Sequence, residues 1–303
     1  MTATLEKKPA RTAQAPALRH RLAERGVDRQ LLLLLPAVLF VVLLFLYPFF
    51  YGLQLSFAPD EGGPFASYAA FFTDPYQRGT IGITLGLSLP AALLNVLASV
   101  PIAYRMRGRF RGKRLLTTVL VVPITLGTVL TAQGLLNYLG PAGWFNKILA
   151  IFGVTEPVQL VGNYWGVFFS LVITGFPFAF LLILSYLSGI DPTLERAAAT
   201  LGADWKQRFR RITLPLLAPG LATTFCLTFV LAFSVFPSAV LVGNPAGETR
   251  VLALAAYQAA YEQYDYSLAS AIAMIMGAVE LLVIAVVLLW RSRLYTGTTG
   301  GKG

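Results

Sequence analysis

The stretch DPTLERAAATLGADWKQRFRRITLPLLAP, Asp191 to Pro219, is a long polar segment set between two apolar runs, and its residues read as structure instead of loop. Asp191 is placed to cap a first helix, and Pro192 fits the opening turn, where a missing N–H costs nothing. Leu194, Ala197, Ala198, Ala199 and Leu201 favour helix as far as Gly202, which suits a left-handed stop. Asp204 caps a second helix. There Trp205, Phe209 and Ile212 fall at i, i+4 and i+7 on one apolar stripe, while Lys206, Arg208, Arg210 and Arg211 fill the other faces and Pro215 ends the element. Two short helices joined by a sharp turn make a part that another protein can grip.

The flanks decide the class. Of 303 residues, 56% are hydrophobic and 13% charged, with a mean hydropathy of +0.67. A soluble chain of this length has no need of so much apolar surface, so the fold class is all-α integral membrane. The formal charge of +10 invites a nucleic-acid reading. However, the basic residues sit between apolar runs without interleaved aromatics, so no nucleic acid is expected. Cys226 is the one cysteine, inside an apolar run, and His20 the one histidine. They exclude an internal disulfide and argue against a Cys/His metal site. The terminal GTTGGKG lacks the spacing of a phosphate-binding loop. With no catalytic group, cofactor or metal expected, the chain reads as a non-enzyme whose energy source, if any, is another subunit.

Apolar runs occupy residues 31–57, 80–104, 115–139, 164–188, 218–242 and 268–290. Each is near the ~20 residues that cross a ~30 Å hydrocarbon core. The first follows a basic tail, 1–30, but it is too long for a signal peptide and no small-residue cleavage site follows it. Six spans put both termini on one side, and 21 of the 24 Lys and Arg fall in 1–30, 105–114, 189–217 and 291–303. The other side keeps only Arg78, Lys147 and Arg250 against seven acids. Cytoplasmic termini and a cytoplasmic loop at 191–217 follow from that bias. The run RMRGRFRGKR, 105–114, is accounted for as a topology anchor touching anionic lipid.

The polar stretch resembles the EAA motif of the membrane-spanning permease subunits of bacterial ABC importers: Glu-Ala-Ala, three residues, Gly, nine residues, Ile, one residue, Leu-Pro. Ala197, Ala198, Gly202, Ile212, Leu214 and Pro215 stand at matching places. One position departs, because the Glu slot holds Arg196 and Glu195 stands one place earlier. The resemblance implies a six-helix type I permease domain over 31–290 in a bacterial inner membrane. It also implies two ABC ATPase subunits, a second and related permease chain, and an extracytoplasmic solute-binding protein as partners. Residues 191–217 then form the coupling loop, with Glu195, Arg196, Ala197, Ala198, Gly202, Ala203, Trp205, Phe209, Ile212, Leu214 and Pro215 at the ATPase contact. Where the family Glu meets a basic residue on the ATPase, either Glu195 substitutes from a rotated position or Arg196 meets an acid. Leu201-Gly202-Ala203 looks more like the spermidine/putrescine, thiamine, iron and phosphonate branch than the sugar branch, which often has Asp before the Gly. The expected cargo is of the polyamine type, with sugar, thiamine, iron or phosphonate as alternatives. A secondary transporter or channel is the rival from another class.

For the pathway, the candidates are Asn95, Gln133, Asn137, Phe176, Pro177, Phe233, Phe236, Pro237 and Glu280. Thr174, Ser185, Ser234 and Ser238 are further polar groups at membrane depth, where such residues often only bond across helices. Pro177 and Pro237 are expected to bend their spans, and the flanking Phe176, Phe178, Phe233 and Phe236 either line a gated path or pack in the bundle. Glu280 is costly at mid-span, so it faces the bundle interior or a wet cavity, either as a contact to a cation or as a structural carboxyl. Outside, Trp144, Phe145, Ile148 and Phe152 suit a short interfacial helix or a lid, and Tyr257, Tyr261 and Tyr264 form an aromatic face beside Glu262 and Asp265.

Overall fold

A computed structural model describes residues 29–108, 112–154 and 156–294, and every regular element among them is helical. Of the expected tails, 1–28 and 295–303 lie outside these residues, as does the middle of the basic run 105–114, while 291–294 continue the last helix. Six helices among the described residues are long and apolar enough to cross a membrane: Leu34–Ser56, Pro75–Met106, Lys113–Ile151, Tyr164–Ser188, Trp205–Phe233 and Tyr266–Ser292.

The chain divides into two units at Gln54 and Leu55. The described part of the first is most of helix α1, which runs as Arg29–Val41, a π turn at Val42–Leu46, and Tyr47–Ser56. The second holds α2 (Ala66–Thr73), α3 (Pro75–Met106), α4 (Lys113–Leu139), α5 (Trp144–Ile151), α6 (Tyr164–Ser188) and α7 (Pro192–Thr200). It continues with α8, which runs from Trp205–Arg208 through a π turn at Phe209–Thr213 into Leu214–Phe233. Then come α9 (Pro237–Leu241), α10 (Leu252–Tyr261) and α11 (Tyr266–Leu294).

Three apolar clusters hold the second unit. Val96, Ala103 and Met106 of α3 meet Phe180, Ile183, Leu184 and Leu187 of α6 and Leu217 of α8 at the end nearest α7. At the far end Leu87 and Ala91 pack with Leu135, Val167, Leu171, Ala239 and Val242. Beside them Phe229 and Phe233 of α8 pack on Ala92, Ala255 and Ile272. Where α6 packs on α3 there is no room for a side chain at Gly175: a Cβ there would stand 2.4 Å from Asn95 Nδ2. Asn95 uses that proximity to donate to Leu171 O at 3.2 Å.

Two prolines act differently from the sequence reading. Pro215 does not end a loop helix; α8 continues through it into the membrane span. The preceding π turn makes this feasible, because the Leu214 amide bonds Phe209 O five residues back and widens the turn where the proline ring would strike a carbonyl. Pro48 in α1 is prepared in the same way, with the Tyr47 amide on Val42 O. Pro237, by contrast, breaks its span instead of bending it. The helix stops at Phe233, Phe236 turns aside at φ −131° and ψ −58°, and α9 restarts with Pro237 in its first turn. A proline has no amide for the carbonyl of Phe233 and disfavours a helical residue before it. The span read as 218–242 is therefore a helix that begins inside the polar loop and ends nine residues early, followed by a separate short helix.

Beyond the break, the segment that follows is pinned by Arg250. It is 3% exposed, donates from Nε to Gln258 Oε1 at 3.1 Å and lies 4.0 Å over the Tyr76 ring. Of the three tyrosines, Tyr257 and Tyr261 pair on α10 with ring centroids 4.9 Å apart. Tyr264 falls past the helix end in the left-handed region, at φ 58°, so the stripe is shorter than its spacing suggests.

Candidate functional site

The polar loop folds as its residues dictate. Asp191 accepts from the Thr193 amide at 2.9 Å and starts α7. Gly202, at φ +84°, closes it with the Gly202 amide on Ala199 O and the Ala203 amide on Ala198 O, both at 3.0 Å. Only a glycine takes that conformation without strain, and the two bonds occupy carbonyls the helix end would leave open. Asp204 and Gln207 then form a reciprocal capping box: the Gln207 amide donates to Asp204 Oδ1 at 2.6 Å and the Asp204 amide to Gln207 Oε1 at 3.2 Å.

The loop's outward surface is mixed, with Lys206, Arg210 and Arg211 exposed beside apolar side chains. Leu201 is 89% exposed, and Leu194, Arg196, Ala197 and Trp205 are exposed as well. Ala198, Ala203, Phe209, Ile212 and Leu214 are half-buried, and Pro215 is exposed at the start of the span. Glu195 is the exception. It is buried, and its carboxylate accepts from Tyr104 Oη at 3.2 Å, from Arg107 and from Thr213. Burial pushes the Glu195 carboxyl up, but the hydrogen bonds from Thr213 and Arg107 and the charge of Arg107 outweigh it and hold the group below its ordinary value. Sequence reasoning placed Glu195 at an ATPase contact; its oxygens are instead engaged within the chain. Beside the loop an open cavity of about 1450 Å³ is lined by Arg105, Arg107 and Arg196 together with Tyr104, Trp205 and Phe209.

A second cavity, of about 360 Å³, opens at membrane depth between α4, α6, α8 and α9. Two interruptions of regular helix face it. One is the Ser234–Phe236 break; the other is Gly127, where α4 kinks at φ 73° and ψ 174°. Non-helical backbone at such depth is tolerated where it lines a cavity. The lining carries the hydroxyls of Thr128, Thr174, Thr228, Ser234 and Ser238 among Leu171, Gly175, Phe178 and Pro237, and no charged side chain. Ser238 bonds Ser170 at 2.7 Å, which fixes α9 against α6 after the break.

The expected pathway residues divide. Pro237 lines this cavity, and Asn95 lies directly behind Gly175. Gln133 and Asn137 are exposed elsewhere on α4, Phe176 stacks on Phe180, Phe233 is buried against Phe229, and Phe236 packs on Tyr257. Pro177 is buried within an unbroken α6. Glu280 is half-buried on α11 and is not part of the lining, with Oε1 lacking a hydrogen-bond partner among the described residues. Gly127, Thr128 and Thr228 were missed by sequence reasoning; the Pro123-to-Gly127 spacing in an apolar run was the one available signal for the first two.

Residues 95–295 match the family described as binding-protein-dependent transport system inner membrane component. The probable sulfate transport system permease protein of Prototheca wickerhamii is 32% identical over 213 residues, 70% of this chain and 82% of that protein. The trehalose/maltose transport system permease protein of Thermococcus litoralis is 30% identical over 270 residues, 85% of this chain and 90% of that protein. Among solved structures, a bacterial ABC transporter involved in import of the acidic polysaccharide alginate superposes with a TM-score of 0.78. It covers 91% of this chain and 100% of its own at 23% identity, a likeness of fold.

Proposed function

The chain belongs to the family of binding-protein-dependent transport system inner membrane components, as the permease subunit of an ABC importer, and from that premise we propose that it carries an oxyanion of the sulfate class through the hydroxyl-lined cavity. The carrying observation is the lining itself: five hydroxyl side chains and no carboxylate. Thr174 and Thr228 give their protons to backbone carbonyls and Ser238 shares one with Ser170, which leaves Thr128 and Ser234 to donate to the oxygens of a desolvated anion, whereas a polyamine needs negative charge. Arg105 and Arg196, which line the separate cavity beside the loop, add a favourable field for an anion on that side. The sulfate permeases among the relatives support the same class. The polyamine-type cargo suggested by Leu201-Gly202-Ala203 has no such support, and Glu280 stands apart from the cavity.

In this reading the loop 191–217 faces the cytoplasm, as the basic residues favour, and α7 docks on an ATPase subunit through its exposed face. A second permease completes the pathway, a solute-binding protein delivers the cargo, and this chain contributes no catalytic group. A sugar is the second reading, favoured by a cavity of about 360 Å³ and by the trehalose/maltose relative. The test is ATP-driven uptake into proteoliposomes holding the complete importer. Sulfate should accumulate and maltose and spermidine should not, with Thr128→Val and Ser234→Ala lowering sulfate uptake. Accumulation of spermidine without sulfate would sink the proposal.

A further inference from the structure

We infer that Glu195 is a positioning residue whose carboxylate latches α7 to the end of α3 and to the root of α8, so that displacement of α7 reaches those two spans as movement of one rigid body. The inference rests on the importer reading above and deepens it. Three donors from separate places in the chain converge on this carboxylate: Tyr104 in the last turn of α3, Arg107 just beyond it, and Thr213 in the π turn of α8. Thr213 is fully buried, and the π turn that lets Pro215 continue the helix also supplies this inward-facing hydroxyl. A second layer backs the first. The Tyr104 ring meets Phe209 edge-on at 5.1 Å and Trp205 at 6.2 Å, and the Arg107 guanidinium lies 4.4 Å over the same ring.

A docking carboxylate would keep its oxygens free for a partner. Both oxygens of Glu195 are occupied from within the chain, Oε2 by Tyr104 and Arg107 and Oε1 by Thr213. Arg196, the occupant of the motif's Glu slot, is exposed instead. The two adjacent residues therefore have separate jobs, one holding the loop to the spans and the other facing out. Without the latch, α7 would join the spans by backbone and apolar contact alone, and a push on it would be absorbed by reorientation of a nine-residue helix.

Two measurements test this. In the full chain in lipid nanodiscs, hydrogen exchange of the α7 amides should rise about tenfold or more in Glu195→Gln and in Thr213→Val, as loss of a buried charge-assisted bond implies. Thr213→Ser, which keeps the hydroxyl, should behave as wild type, and exchange in α6 should not change. In the assembled importer, Glu195→Gln and Thr213→Val should retain the ATPase subunits yet move about tenfold less solute per ATP, again with rescue by Thr213→Ser. Unchanged exchange and unchanged solute per ATP in both variants would overturn the latch. So would loss of the ATPase subunits from Glu195→Gln with α7 exchange unchanged, since that would make Glu195 a docking residue. A wild-type complex with no ATP-driven uptake of any solute would remove the importer reading itself, and the coupling role with it.

Discussion

Replacing Gly175 by alanine should destabilise the permease, and the same replacement should stabilise it once Asn95 is gone. The added Cβ would stand 2.4 Å from Asn95 Nδ2, so the Asn95 amide must move and give up its bond to Leu171 O. Loss of a buried hydrogen bond together with local overpacking costs about 2–4 kcal/mol. Against that, alanine in a helix gains about 0.5–1 kcal/mol over glycine. The net expectation for Gly175→Ala is a loss of about 1–3 kcal/mol. In an Asn95→Ala background the space is vacated, and the next neighbour, Thr228 Cγ2 at 3.4 Å, is at ordinary contact distance. There the helix term alone remains, and Gly175→Ala should gain about 0.5–1 kcal/mol. Reversible unfolding of the purified permease in mixed detergent micelles, run as a double-mutant cycle, reads this reversal of sign. Equal effects of Gly175→Ala in the two backgrounds would refute the claim that Asn95 leaves no room for a side chain at Gly175.

Glu195 makes the loop pH-sensitive. A carboxyl with a lower pKa folded than unfolded contributes stability that is complete above its ordinary value of 4.5 and lost as pH falls through the folded value. Protection of α7 amides should therefore be flat from neutrality to about that pH and fall below it, and Glu195→Gln should abolish the fall. At Gly202, proline cannot adopt φ +84° and would also delete the amide bond to Ala199 O. Gly202→Pro, or a charge at half-buried Ala198, should leave the protein inserted in the membrane while separating ATP hydrolysis from uptake; normal uptake by both variants would show that this loop does not couple. Thr84 is buried on α3, donates to Thr80 O at 2.6 Å and accepts the Leu252 amide at 2.9 Å. Thr84→Val keeps the shape but orphans that amide, and should cost about 1–3 kcal/mol in the same unfolding assay.

The sequence carried the spans and the loop because each has a local signature. Apolar length marks the spans, and Asp191, Pro192, Gly202 and Asp204 mark helix ends by their own backbone chemistry. What it did not carry depends on partners far along the chain. Glu195 and Arg196 are neighbours of similar reach, and only the placement of Tyr104, Arg107 and Thr213, up to 91 residues away, decides which of them turns inward. Pro215 and Pro237 look alike in sequence. One is absorbed by a π turn five residues wide and the other ends its helix, and no local pattern distinguishes those outcomes. The hydroxyls of Thr128, Thr174, Thr228 and Ser238 come from four helices, so they become a site only when those helices pack.

The π turn at Phe209–Thr213 also bears on how this chain can vary in length. A π turn is a helix that has accepted one residue more than the α register allows, and each residue turns the helix by about 100°. Removing one codon within 209–213 would restore the α register, swing Trp205 and the capping box about 100° around the axis relative to the span, and bring the Pro215 ring against a carbonyl. Compared residue by residue with a relative that has a plain α-helix here, the two sides of this turn fall out of phase, and a one-residue gap would be an interior feature of a continuous helix instead of the mark of a loop.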